Sequence, residues 1–345
     1  MHRGQAVGLP PRAVIFGCAG PELSDWERRF FAKADPLGFI LFQRNCIDPA
    51  QVRRLVAGLR ESVGRAEAPV LIDQEGGRVL RLKPPHWRAA PAQGEFGDLA
   101  GRNAESAHEA AYLNARLLAV ELAELGITVD CAPVLDLRLP GAHEVIGDRA
   151  LGSDPVRVAE LGAAVAQGLL DGGVLPVIKH IPGHGRATLD SHHDLPVVDA
   201  GRELLERTDF EPFRRLSSRP WAMTAHIVYR AIDPKHPASL SKRVIEEVVR
   251  GSIGFQGFLV SDDVTMKALK GEIGELARRA VEAGCDGVLH CTGDAEEMER
   301  VALATPRLSD PSLERLARAA MALPQQRKEI DLAAALDRIK TLLAA

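Results

Sequence analysis

The chain has no run of about 18 apolar residues, so nothing in it reads as a membrane-spanning helix. Its five cysteines, at 18, 46, 131, 285 and 291, are scattered, odd in number and nowhere spaced C-x-x-C. That spacing excludes a zinc ribbon and a disulfide framework, and it reads as structural thiols in a reducing compartment. An excess of one charge is missing as well: 43 Lys and Arg face 47 Asp and Glu, a net charge of -4. Without a basic footprint, neither nucleic acid nor a membrane surface is an expected partner. The opening stretch places two prolines before a short, strand-length apolar run, which is not the pattern of a signal peptide, so a cytoplasmic location is expected. No linker, low-complexity tract or fixed-period repeat interrupts the chain. One domain over 1–345 is therefore expected, with a core at about 12–300 and C-terminal helices at 311–343.

What the sequence does have is alternation. Short apolar runs recur at 13–17, 38–42, 70–73, 127–133, 174–180, 221–227, 257–263 and 287–291. Between them lie helical patterns, among them 105–126, 154–172, 201–217, 241–251, 265–283 and 311–343. Ser153-Asp154-Pro155 has the form of an N-cap followed by a helix-starting proline. Strands separated by helices imply βαβ units and parallel pairing. Eight such units predict a closed (β/α)₈ barrel of the TIM type. The alternative, an open doubly wound sheet, would want a G-x-G-x-x-G after an early strand, and "GCAGPELS" and "DQEGGRVL" do not fit it.

In a barrel, active-site groups gather where the strands end. Polar residues do end these runs: Asp73, Asp130, Lys179-His180, His226 and Asp262-Asp263. Burying such groups is costly unless they are used. Any one of them alone reads more simply as the cap of the next helix.

The densest chemistry is "KHIPGHGRATLDSHHDLP", Lys179 to Pro196. Its four histidines raise the question of a metal. The helical H-E-x-x-H spacing is absent, however, and the first strand ends in "FGCAG" rather than in a His-x-His, so no metal is expected. Acid/base work is the competing reading. Asp190-Ser191-His192 puts a carboxylate within a turn of an imidazole, where it can fix the tautomer and raise the ring's pKa toward neutrality. Gly183 and Gly185 would let that segment move over a ligand. The plainer alternative is a turn capped by an aspartate beside a solvated histidine. Opposite this stretch, Asp262 ends the seventh run, with a helix expected from Thr265 and Met266 onward. A strand-end carboxylate facing a proton donor is what retaining glycoside hydrolysis requires, although the general pattern uses two carboxylates.

The stretch resembles the K-H-F-P-G-H-G-x(4)-D-S-H-x(3)-P signature of glycoside hydrolase family 3, in its single-domain bacterial NagZ-type branch of β-N-acetylglucosaminidases (β-hexosaminidases). "LIDQEGGRVLRL" (71–82), "APVLDL" (132–137), "IGDRALGSDP" (146–155), "MTAHIVYRAID" (223–233), "PASLS" (237–241) and "GFQGFLVSDDVTM" (254–266) match in the same order. Ile181 departs from the usual phenylalanine, and His193 offers a second imidazole beside His192. The resemblance implies a (β/α)₈ barrel, Asp262 as nucleophile, and His192, supported by Asp190, as acid/base. It assigns Asp73, Arg81, Arg149, Lys179 and His180 to the N-acetylglucosamine ring. It further implies removal of terminal N-acetylglucosamine from cytosolic peptidoglycan fragments that carry 1,6-anhydro-N-acetylmuramic acid, with or without peptide, in cell-wall recycling. No cofactor is implied, the partner is this small carbohydrate, and a monomer is expected. A phosphorylase, a metal-dependent barrel hydrolase and a non-catalytic sugar-binding protein are the alternatives.

Overall fold

A computed structural model describes residues 9–141, 145–187 and 195–345. Eight strands close into a barrel, each parallel to both neighbours and in chain order around the ring. They are Arg12–Gly17, Pro36–Leu41, Val70–Ile72, Val129–Asp130, Leu175–Ile181, Trp221–Thr224, Phe258–Asp263 and Gly287–His290. All eight apolar runs of the sequence are thus strands, and the expected (β/α)₈ barrel is the observed fold.

Strands alternate their side chains between the two faces of a sheet, which here are the barrel interior and the ring of helices. Ile15, Leu71, Val129, Val177, Val260 and Leu289 belong to the inner cluster, with the Trp221 and Phe258 rings in tilted contact, centroids 4.4 Å apart. Their neighbours Val14, Phe16, Ile72, Ile178, Leu259 and Val288 pack outward against the helices. Counting two residues on from the inner set reaches Asp73, Cys131, Lys179, Asp262 and Cys291. Asp73, Lys179 and Asp262 among them carry the polar top layer of the same interior, at the strands' C-terminal ends, while Cys131 and Cys291 continue its apolar cluster.

The helix Pro155–Asp171 starts as its sequence predicts: Asp154 accepts the Arg157 amide and proline occupies the first turn. Three other helical readings change. The 201–217 pattern is two short helices, Arg202–Arg207 and Glu211–Arg215, because Pro212 starts a new helix and cannot donate within an old one. The 265–283 pattern is helical only from Ile273 to Ala283. Thr265 gives both its amide and its hydroxyl to the Asp263 carboxylate, forming a turn in place of a first helical turn. The 311–343 pattern is Asp310–Met321 and Leu332–Ala344, with Pro324 in the break.

Candidate active site

The top layer of the barrel carries a chain of alternating charges. Lys179, 2% exposed, places Nζ 2.8 Å from Asp73 Oδ1 and 2.6 Å from Glu75 Oε1. Asp73 Oδ2 accepts from Arg81 at 3.0 Å, and Glu75 takes the two-pronged fork of Arg149 at 2.8 and 2.9 Å. Burial alone would push both carboxyl groups up. The adjoining cations override it, holding Asp73 well below the usual range and Glu75 near about 2. Lys179 and Arg149 are correspondingly held above their ordinary values by these carboxylates, against their own burial. Asp73, Lys179, Glu75 and Arg149 are therefore all ionised at neutral pH. An ammonium carries three donors, and the two carboxylates use two of them, leaving one to offer a ligand. Arg81 keeps a buried Nε without a partner among the described residues and lies over the Phe42 ring.

Next to this row, the fully buried Asp136 accepts from His180 Nδ1 at 2.6 Å and from the main-chain amides of His180 and His184. The carboxylate fixes the proton of His180 on Nδ1 and leaves Nε2 as the atom available to a ligand. Burial pushes His184 down to about 4, so that imidazole is neutral. The register between the fifth and sixth strands shifts between Lys179 and Ile181. A shift of this kind re-aims side chains, and it lets consecutive residues, Lys179 and His180, line one cavity.

Asp262 and Asp263 are consecutive too, yet their carboxylates are used differently. Asp263 is occupied by the amide and hydroxyl of Thr265 and the amide of Cys291. The carboxylate of Asp262 accepts one protein donor, the Asp263 amide at 2.8 Å, among the described residues. Burial raises Asp262, but the positive ends of His226, His180 and Lys179 and that amide bring it below the ordinary value. Asp263 is raised by burial and by Asp262 beside it. Asp262 is thus the ionised carboxylate with spare lone pairs. His226 holds the strand end in place, with Nε2 on the Asp263 carbonyl at 2.9 Å and Nδ1 against Ser239 Oγ at 2.7 Å.

Asp73, Arg81, Arg149, Lys179, His180 and Asp262 all line one cavity of about 350 Å³, whose apolar floor includes Ile40, Met223 and Leu289. Asp130 does not. Its side chain follows the outward parity, accepts the Gln74 amide, and is raised to about 7 by burial. Gln74 in turn fixes Arg81 and Leu82, so this strand-end aspartate shapes the loop that carries Asp73 and Arg81. Glu75 and Asp136 were not among the candidates read from the sequence. The available signal was position: Glu75 lies two residues beyond Asp73, and Asp136 sits within the "APVLDL" motif. Among the described residues, no three His, Cys, Asp or Glu side chains are grouped to hold a metal.

Asp190 and His192, with His193, lie outside the described residues. The segment leading to them is tethered. The Gly183 carbonyl accepts from Tyr229, and the His184 amide donates to Asp136. Arg186 binds Asp209 at 2.7 Å and Thr208 at 3.0 Å. Gly185 is a packing glycine rather than the hinge expected of it: an added Cβ would run into the Leu137 carbonyl and lie 2.8 Å from the Leu137 nitrogen. Gly183 has φ +136° and abuts Asp209. Gly185→Ala is therefore expected to cost about 1–3 kcal/mol of stability through overpacking, read from urea unfolding. A stable Gly185→Ala protein with altered activity would restore the hinge.

An eight-stranded parallel barrel with an ionised, sparsely bonded aspartate beside a ring of polar donors is the architecture of a barrel enzyme acting on a small polar ligand. The profile of the glycosyl hydrolase family 3 N terminal domain matches residues 22–323. A "Beta-hexosaminidase" of Alkalilimnicola ehrlichii is 39% identical over 302 residues, 86% of this chain and 84% of that one. A family 3 β-N-acetylglucosaminidase from Paenibacillus sp. str. FPU-7 superposes with a TM-score of 0.84 at 33% identity, covering 96% of this chain and 66% of that one. NagZ from Neisseria gonorrhoeae, solved with N-trifluoroacetyl-D-glucosamine, superposes with a TM-score of 0.87 at 32% identity, covering 97% of this chain and 99% of that one. A further structure of that protein is a complex with zinc ion. The chain belongs to glycoside hydrolase family 3 and is a glycoside hydrolase, similar to the β-hexosaminidases of that family.

Proposed function

We propose that the enzyme is a retaining exo-β-N-acetylglucosaminidase. It removes terminal non-reducing N-acetylglucosamine from peptidoglycan fragments bearing 1,6-anhydro-N-acetylmuramic acid, with or without peptide, in the cytoplasm. The observation that carries this reading is the division of labour at the seventh strand end, where Asp263 is spoken for and Asp262 is ionised on the cavity. Asp262 attacks the anomeric carbon as the bond to the leaving oxygen breaks. His192, held by Asp190, gives that oxygen its proton, and the sugar remains as an ester on Asp262. Water then attacks the same carbon, gives its proton to His192, and the carboxylate is released. A neutral imidazole suits the second step, because a second carboxylate would add negative charge near Asp262.

Asp73, Arg81, Arg149, Lys179 and His180 bind the ring. Asp73 has spare lone pairs for adjacent hydroxyls, and Lys179 and Arg81 have the unused donors described above.

The test is mass spectrometry after reaction with a fluorinated glycosyl donor that accumulates the ester intermediate. A label on the peptide containing Asp262 is expected; a label elsewhere, or none, overturns the assignment. Sugar 1-phosphate formed in phosphate buffer would convert the reading to a phosphorylase, and activity lost to a chelator and restored by zinc would convert it to a metal-dependent hydrolase.

A further inference from the structure

We propose that two copies of this chain pair through a groove on the outer wall of the barrel, forming a twofold dimer in place of the expected monomer. The groove has a volume of about 370 Å³ and lies between the helices Asp25–Ala34 and Ala295–Ala304. These helices follow the first and eighth strands, which pair with each other, so both run back side by side toward the N-terminal end of the barrel. Arg12, the first residue of the first strand, lines the groove there, at the opposite end of the strands from the sugar cavity.

One wall is aromatic and basic. Trp26, Arg29, Phe30 and Lys33 are spaced to share one face of their helix. The Trp26 and Phe30 rings stack at 4.9 Å, and Phe30 rests edge-on against Phe16 at 5.5 Å, which fixes the pair to the core. The other wall is acidic and ends in a knob. Glu299 and Leu303 line the groove, Glu296 extends their stripe, and all three are exposed. Leu303, at 83%, is the most exposed of the large apolar side chains among the described residues.

The two walls do not satisfy each other. Arg29, Lys33, Glu296 and Glu299 form no ion pair among the described residues, whereas Arg300 and Glu297 on the same helix reach Glu272 and His290. The eight residues before Leu9 contain no Asp or Glu, so they bring no counter-charge to Arg29 and Lys33.

A second copy satisfies both walls at once. Each stripe, 26 to 33 and 296 to 303, covers about 10 Å of helix. Laid antiparallel, the acidic stripe sets Glu296 against Lys33 of the second copy, Glu299 against Arg29, and Leu303 against Trp26. A twofold axis across the helices produces that alignment and repeats every contact. The parallel alignment would set Leu303 against Lys33 and Glu296 against Trp26. An acidic partner would leave Glu296 and Glu299 unanswered, and a basic one would leave Arg29 and Lys33 so. Opposite charges at matched spacing on one patch, with a knob and an aromatic wall to receive it, make the surface complementary to itself.

The contact is small, so a dimer Kd of about 10 µM is expected. The experiment is sedimentation equilibrium on the full chain at concentrations from about 1 to about 100 µM, which bracket that value. The unaltered protein should pass from 37.2 kDa toward twice that mass. Leu303→Asp should weaken the dimer about 100-fold, since symmetry removes the contact twice. Arg29→Glu and Glu299→Arg should each weaken it about tenfold, and the double variant Arg29→Glu/Glu299→Arg should return it to within about threefold of the unaltered protein. Arg29, Glu299 and Leu303 are exposed, so each variant should keep the fold, read from circular dichroism.

A full chain that stays at 37.2 kDa throughout overturns the proposal, and so does a dimer that Leu303→Asp leaves intact. A double variant no tighter than the single ones overturns the antiparallel pairing on which it rests. A chain that dimerises only after residues 1–8 are removed would give the groove to that segment, and overturns it as well.

Discussion

Replacing Asp262 with glycine should lower turnover of a nitrophenyl N-acetyl-β-glucosaminide by about 10⁴-fold, which is about 5.5 kcal/mol of transition-state stabilisation. The size follows from the role. If Asp262 is the nucleophile as proposed, the two-step path is lost, and what remains is binding together with the proton donation proposed for His192. The variant should still fold, because the carboxylate of Asp262 accepts one protein hydrogen bond among the described residues, from its neighbour's amide. Its ionised form is held against burial by surrounding positive charge, an arrangement that favours activity over stability. The space vacated by the side chain admits a small anion, so added azide should restore turnover and yield the α-configured glycosyl azide, seen by NMR. Asp263 supplies the contrast: its carboxylate holds Thr265 and the Cys291 amide, so Asp263→Ala should lower the melting temperature as well as the activity. An Asp262→Gly enzyme within tenfold of normal, or one that azide leaves silent, would move the nucleophile elsewhere.

The barrel was legible because a strand buried on both faces must be apolar throughout, and eight such runs leave few alternatives. The site was legible for a related reason. Parity along a strand carries the interior up to its polar rim, so Asp73, Lys179 and Asp262 follow from Leu71, Val177 and Val260 by counting in twos. Counting fails where geometry is local. His180 joins Lys179 on the cavity through a register shift that apolar patterning does not encode. Asp130 has the same strand-end position as Asp73 but the opposite parity, and it serves the backbone of Gln74. Thr265 and Met266 carry helix-compatible residues on both sides, yet an aspartate two positions earlier captures the amide and starts a turn. Gly185 illustrates a further limit. A glycine reads as freedom in a sequence, but here it permits close approach to Leu137, which only the folded chain reveals.

Lys179→Met should be the most damaging substitution away from the nucleophile, costing about 3–5 kcal/mol of stability at pH 7 and about 10³-fold in kcat/KM. The methionine fits the volume, but Asp73 and Glu75 lose the ammonium that lies 2.8 and 2.6 Å from them. Each keeps one arginine, yet the two carboxylates then face each other in a buried setting with no cation between them. Lys179→Arg should rescue little, because a planar fork cannot occupy a socket shaped for a point charge that is 2% exposed.

The pH dependence distinguishes this cause from simple misfit. In the native protein both carboxyl pKa values are depressed, so the stability they contribute is complete above the unfolded value of about 4.3 and is lost as pH falls toward the Glu75 value of about 2. In Lys179→Met both values rise, so protonation relieves the repulsion at a higher pH than it can in the native chain. The stability gap between the two proteins should therefore narrow as pH is lowered from 7 to about 4.5, as measured by urea unfolding at each pH. A gap of constant size across that window would place the damage in packing, and would mean that the charges of the Asp73–Lys179–Glu75 row balance to nearly nothing.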